Sequence, residues 1–206
     1  VEFWADAAVH AAGVPLGMLA ALNIVARAAA HGPIMSAVVF IYAAGLVGML
    51  AASAAYQMAP AGWLKERLRR VDKAMIFVMI AGTYTPISCI TLFGRHGVEL
   101  DALLWAMAAL GIYLTLRYPR RFEKALFGLY FAMSYMLLVL INETFHDLQP
   151  GVLALLITGG LTYTVGAAIR ARRRSFHNPV WHLLVLLAAA QHYAAIALQL
   201  TGGVWG

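Results

Sequence analysis

Seven apolar stretches, each near the length of a bilayer crossing, constrain this chain more than any other feature. They cover residues 7–30, 34–59, 74–93, 100–118, 122–142, 152–169 and 180–200. A helix needs about 20 apolar residues to traverse the hydrocarbon core, within a range of roughly 17–25. In lipid every backbone amide must be satisfied inside the protein, which leaves helices and closed barrels. No long stretch alternates with period two, and this removes the barrel. The fold class is therefore all-α: a polytopic membrane protein with seven transmembrane helices in a single domain, residues 1–206. Composition agrees. Hydrophobic residues make up 63% of the chain and charged residues 12%, with mean hydropathy +0.77. A soluble domain carries about 25% charged residues. Disorder needs low hydrophobicity and is excluded. A disulfide scaffold is excluded by the single cysteine, Cys89.

The bases are distributed unevenly. Lys65, Arg67, Arg69, Arg70 and Lys73 follow the second stretch, Arg117, Arg120, Arg121 and Lys124 the fourth, and Arg170, Arg172, Arg173 and Arg174 the sixth. With seven crossings all of these fall on one side, and only Arg27 and Arg95 on the other. The positive-inside rule then places the N-terminus in the cytoplasm and the C-terminus outside. Bases facing anionic headgroups also account for the pI near 9.7 without a nucleic-acid partner. The first stretch is preceded by acids, Glu2 and Asp6, and contains His10, so it reads as a span and not as a cleaved leader. A bacterial cytoplasmic (inner) membrane is the expected location. Between the second and third stretches, residues 60–71 have the pattern of an interfacial helix. Trp63, Leu64 and Leu68 are apolar, while Lys65, Arg67, Arg69 and Arg70 are polar. Gly13 and Gly17 form a small-residue pair for close helix contact, with Pro15 between them as a kink.

Polar side chains inside a membrane are costly and mark candidate sites. Ser53 and Gln57 lie four apart at the cytoplasmic end of the second span, on one helix face. Asp72 opens the third span at the same depth. Asn178 and His182 lie four apart where the seventh begins, and His10 starts the first. Ser53, Gln57, Asp72, Asn178 and His182 are expected to converge on one inner-leaflet cavity. His192, ten residues beyond His182, lies about 15 Å deeper at 1.5 Å per residue. Each has a plainer role: Asn178 before Pro179 as a helix start, Asp72 as a cap, Gln57 and His182 as interfacial groups. Thr83 and Thr85 are placed to bond back to carbonyls one turn earlier, and Pro86 removes a donor, which predicts a bend in the third span. Asn142, Glu143, His146 and Asp147 read as a hydrated outer loop.

Ser53-Ala-Ala-Tyr-Gln57, the block from Leu68 through Asp72 to Thr83-Tyr-Thr-Pro86, Trp181-His182, His192, and the opening Glu2, Asp6, His10 and Gly13 together resemble the hemolysin III family. That family lies within the progestin and adipoQ receptor superfamily. The resemblance covers essentially the whole chain and implies seven spans with the N-terminus inside. It also implies three zinc-ligand histidines near the cytoplasmic face: one ending a Ser-x-x-x-His element in span two, and a His-x-x-x-His pair opening span seven. Here Gln57 and Asn178 occupy two of those positions and only His182 matches. Lys73 follows Asp72, and Ala61 stands where a further histidine often occurs. Amides are weak zinc ligands, so no metal and no other cofactor is expected.

Three functions follow. The first is a lipid-binding or bilayer-modulating member with a degenerate zinc site and no hydrolysis, its cavity lined by Ser53, Gln57, Asp72, Asn178, His182 and His192. The second is a zinc-dependent, ceramidase-like lipid amide hydrolase, in which His177 substitutes for a missing ligand beside His182 and Asp72, and Ser53 and Asp72 serve the reaction. The third is a channel or pore-forming cytolysin. The replaced ligands argue against an enzyme. Membrane lipids are the expected partners. A homodimer is compatible with the chain, and no obligate protein partner is inferred.

Overall fold

A computed structural model describes residues 1–91, 97–136, 148–172 and 175–202. Its helices are α1 (Glu2–Ala29), α2 (Pro33–Met58), α3 (Trp63–Thr91), α4 (Gly97–Arg117), α5 (Glu123–Ser134), α6 (Pro150–Ala171) and α7 (His177–Gly202). Among the described residues there is no strand. The protein is an all-α polytopic membrane protein. By length and composition, α1, α2, α4, α6 and α7 each suffice to cross a bilayer. Their outward faces carry Leu16, Leu19, Leu22, Phe40, Leu103, Leu110, Leu161 and Leu183, all exposed. Apolar surface on that scale belongs against lipid.

The helices pack in the order α6–α7–α1–α2–α3–α4–α5. Tyr135, just after α5, meets Thr164 of α6 at 2.6 Å between hydroxyls, which brings the ends of the series together. Two cores result. One joins α1, α2, α6 and α7 around Ile24, Tyr42, Val39 and Ile196. The other joins α3, α4 and α5 around Phe77, Leu104 and Met133. At the α2–α3 seam the backbones themselves approach. A Cβ on Gly45 would stand 3.5 Å from the Val78 carbonyl oxygen, and one on Gly82 would stand 3.4 Å from that of Ile41. Small residues permit this kind of contact in lipid, where dispersion replaces the hydrophobic effect as the driving force.

The third helix departs from the expected pattern. The interfacial segment 60–71 is not separate: α3 runs without a break from Trp63 to Thr91, 29 residues or about 43 Å. No glycine lies between Trp63 and Ala81 and no proline before Pro86, and Lys, Arg and Glu are good helix formers. Its amphipathic first turns therefore continue directly into the span. Beyond them, Thr83 donates to the Met79 carbonyl (2.7 Å) and Thr85 to that of Ala81 (3.1 Å), the back-bonding read from the sequence. The helix also continues through Pro86, as α1 does through Pro15. The fifth span, read as 122–142, runs past α5 into residues outside those described. So do Asn142, Glu143, His146 and Asp147, and the bases Arg95, Arg173 and Arg174.

Bases from the second-to-third and fourth-to-fifth connections, Arg69, Lys73 and Arg120, meet Arg170 at the end of α6 around one cavity. Glu66 binds Arg69 through both carboxylate oxygens, at 2.7 and 3.0 Å, and accepts from Arg120 at 3.1 Å. Glu123 accepts from Lys73 at 2.6 Å and from Arg69 at 3.0 Å. Hydrogen bonds from Arg69, then from Arg120, hold the Glu66 carboxyl down at about 2. A depressed carboxylate stabilises the fold above its unfolded pKa, and that contribution is lost as pH falls toward the folded value. Thermal unfolding of Glu66→Gln in micelles is accordingly expected to show a loss of under about 1 kcal/mol at neutral pH. The loss should shrink with added salt and vanish toward pH 2. A penalty that persists there would assign the effect to packing.

Candidate functional site

At this same basic end the polar side chains sort into distinct contacts. Along α1, Asp6, His10, Gly13 and Gly17 fall on one stripe, because steps of four, three and four residues return to the same face. The glycines let neighbouring helices close in. A Cβ on Gly13 would lie 2.7 Å from Leu186 Cδ2 of α7, and one on Gly17 would lie 2.3 Å from Leu50 Cδ1 of α2. Leu186 is one turn beyond His182, so the approach at Gly13 delivers His182 to the Asp6–His10 pair. His182 Nδ1 lies 2.5 Å from Asp6 Oδ1. The His182 and His10 rings stack obliquely with centroids 4.5 Å apart. His10 Nε2 is 3.9 Å from Asp6 Oδ1. All three residues are buried, at 5–7% exposure.

Gln57 reaches the other edge of the same imidazole, its Nε2 3.4 Å from His182 Nε2. One tautomer satisfies both contacts. Nδ1–H donates to the Asp6 carboxylate, and the Nε2 lone pair accepts from the Gln57 amide. Asp6, His10 and His182 also form a group of three metal-capable side chains, their ligand atoms all within 4.8 Å of one another.

The sequence-predicted residues do not gather in one cavity. Gln57 and His182 meet. Ser53 instead lies close to Asp72, which sits near Arg170. Asp72 lines a separate cavity of about 260 Å³ with Tyr56, Arg69, Lys73, Arg120, Glu123 and Arg170. Asn178 is half-buried in the first turn of α7, which begins at His177, so Asn178 is inside the helix and is not its cap. His177 Nδ1 faces Glu2 at 3.7 Å. His192 lies between α6 and α7, its ring 5.7 Å from Tyr163 and packed where Gly159 leaves room. Asp6 was missed as a site residue. The signal that finds it is the i, i+4 pairing with His10, the same spacing that picked out Ser53 and Gln57.

The model of the family described as haemolysin-III related matches residues 4–193. This chain belongs to the haemolysin-III related family. Hemolysin-3 of Bacillus cereus is 30% identical over 194 residues, covering 93% of this chain and 89% of that protein. The hemolysin-3 homolog of Bacillus subtilis (strain 168) is 27% identical over the same length, covering 93% and 91%. The Homo sapiens monocyte to macrophage differentiation factor is 28% identical over 169 residues, 76% of this chain and 68% of its own. The haemolysin-III match spans both α1, with Asp6 and His10, and α7, with His182, so the residues that make these contacts lie within the matched region.

Proposed function

We propose that this haemolysin-III member resides in the bacterial cytoplasmic membrane, basic end inward, and binds anionic membrane lipid there without hydrolysing it. The observation that carries the reading is the contact between Gln57 and His182. Zinc at the positions implied by the resemblance needs ligands at residues 57, 178 and 182. Two of these are amides, which are weak zinc ligands. The third, His182, has its Nε2 3.4 Å from the Gln57 amide nitrogen. In the tautomer that donates Nδ1–H to Asp6, that nitrogen accepts from the Gln57 amide, and one imidazole with two amides does not fit a zinc ion.

The lipid half of the proposal is supported by the cavity at the basic end. Arg69, Lys73, Arg120 and Arg170 outnumber Asp72 and Glu123 along its wall. Basic pockets between helices on the cytoplasmic side suit anionic headgroups. Each base near the surface contributes about 1 kcal/mol to holding such lipid, so two replacements lower affinity roughly 10- to 30-fold. Lipid retained by the protein, measured by native mass spectrometry from vesicles containing phosphatidylglycerol, is expected to fall by that factor in Arg120→Gln/Arg170→Gln. Equal retention by the variant and the parent would remove the headgroup assignment. Incubation with a ceramide and added zinc is expected to give no release of fatty acid. Turnover abolished by a chelator would overturn the non-hydrolytic reading in favour of a lipid amidase.

A further inference from the structure

We infer that Asp6, His10 and His182 form a binding site for a borderline divalent cation such as zinc, displaced from the family position and tying α1 to α7. The inference goes beyond the lipid-binding reading. Its ligands differ from those the resemblance implies: two come from the first helix, and Gln57 and Asn178 are not among them.

Four observations carry it. The three donor atoms lie within 4.8 Å of one another, so a closing shift of about 1.5 Å or less brings each pair to the roughly 3.3 Å that ligand bonds of about 2.0–2.1 Å impose around a tetrahedral ion. The donor set, two imidazoles and one carboxylate, is one that zinc accepts. His10 Nε2 is buried and makes no hydrogen bond, although its ring leans against His182. A buried nitrogen without a partner is costly, and a cation would satisfy it. Finally, Asp6 is a carboxylate 5% exposed, with His182 Nδ1 2.5 Å and His10 Nε2 3.9 Å from its Oδ1. Buried carboxylates are retained where a cation or strong donors compensate them.

Gln57 completes the arrangement. When a cation takes His182 Nδ1, the proton shared with Asp6 leaves, and the ring takes a proton on Nε2. That Nε2–H then donates to the Gln57 carboxamide, turned to present its oxygen. The imidazole stays neutral throughout, and Gln57 becomes the outer partner that fixes ring orientation. Such partners typically alter metal affinity by about 10- to 100-fold. Two ligands one helical turn apart on α1 and one on α7 make the cation a clasp between the first and last helices.

The test uses the 206-residue chain purified in detergent micelles, stripped with chelator and titrated with cobalt(II). The expected result is one equivalent bound with a visible d–d band of tetrahedral character, displaced by zinc, and a higher unfolding temperature with zinc present. Asp6→Ala and His10→Ala should abolish the band. His10→Gln provides a variant of similar size should His10→Ala fail to fold, and it should abolish the band too. Gln57→Ala should weaken binding about 10- to 100-fold. Asn178→Ala and His177→Ala should bind as the parent does. No cobalt bound by the parent chain would overturn the inference and leave the lipid reading standing. Cobalt that survives His10→Gln but is lost in Asn178→Ala would locate the ion at the family position and overturn both.

Discussion

Truncating Phe77 to alanine is expected to cost about 3–5 kcal/mol, the largest single loss foreseen in the bundle. Its side chain is fully buried at the centre of the α3–α4–α5 core. The ring stacks on Tyr130 with centroids 4.3 Å apart, and it fills the space over Gly111 so completely that a Cβ there would stand 2.4 Å from it. In lipid no water is expelled when helices meet, so the loss is mainly of dispersion contacts, and the surrounding helices recover only part of them. Unfolding of micelle-solubilised protein by a denaturing detergent measures it. Phe77→Leu should lose clearly less. Equal losses for leucine and alanine would mean that ring stacking on Tyr130, and not cavity volume, sets the cost.

The second large effect is at His182. His182→Ala is expected to destabilise by about 3 kcal/mol, because it strands the buried Asp6 carboxylate without the donor now 2.5 Å away. Asp6→Asn should be milder, about 1 kcal/mol, since an amide oxygen still accepts from Nδ1–H. That ordering is the informative result. Were Asp6→Asn the more damaging change, the carboxylate's charge would matter more than its role as acceptor. The same unfolding assay serves both variants, in chelator, so that bound cations make no contribution to the comparison.

Much of this architecture was legible in the residues, and the exceptions share a cause. The ends of α2 lie within a residue of the stretch 34–59, because apolar length and turn residues are local properties. By contrast, α1 starts five residues ahead of residue 7 and α3 eleven ahead of residue 74, where helix-forming residues carry the helix beyond the apolar stretch. The gathering of Arg69, Lys73, Arg120 and Arg170 on one side followed from counting crossings. The back-bonding of Thr83 and Thr85 followed from side-chain chemistry within one turn. What one sequence does not contain is the rotation of each helix about its axis. His192 was placed with the site by depth alone. Ten residues at about 100° each carry it roughly 80° around α7 from His182, and it faces α6 instead. Ser53 and Asp72, read as lying at one level, neighbour each other between α2 and α3, while Gln57 turns to His182. Asp6 escaped notice because an acid ahead of a first span reads as a water-exposed flank. Only the approach of α7, permitted by Gly13, shows it to be interior.

The pairing of the first helix with the last has a consequence for biogenesis. A chain emerging from the translocon delivers α1 to the bilayer long before α7 exists. Throughout that interval Asp6 and His10 are without their eventual neighbour, and an intramembrane carboxylate lacking a partner is expensive. The nascent protein must therefore hold the start of α1 near the headgroups, or keep it sheltered, until the final span arrives. Assembly is thus committed at the end of synthesis, and a product truncated before His182 lacks the group that makes its own beginning stable in the membrane.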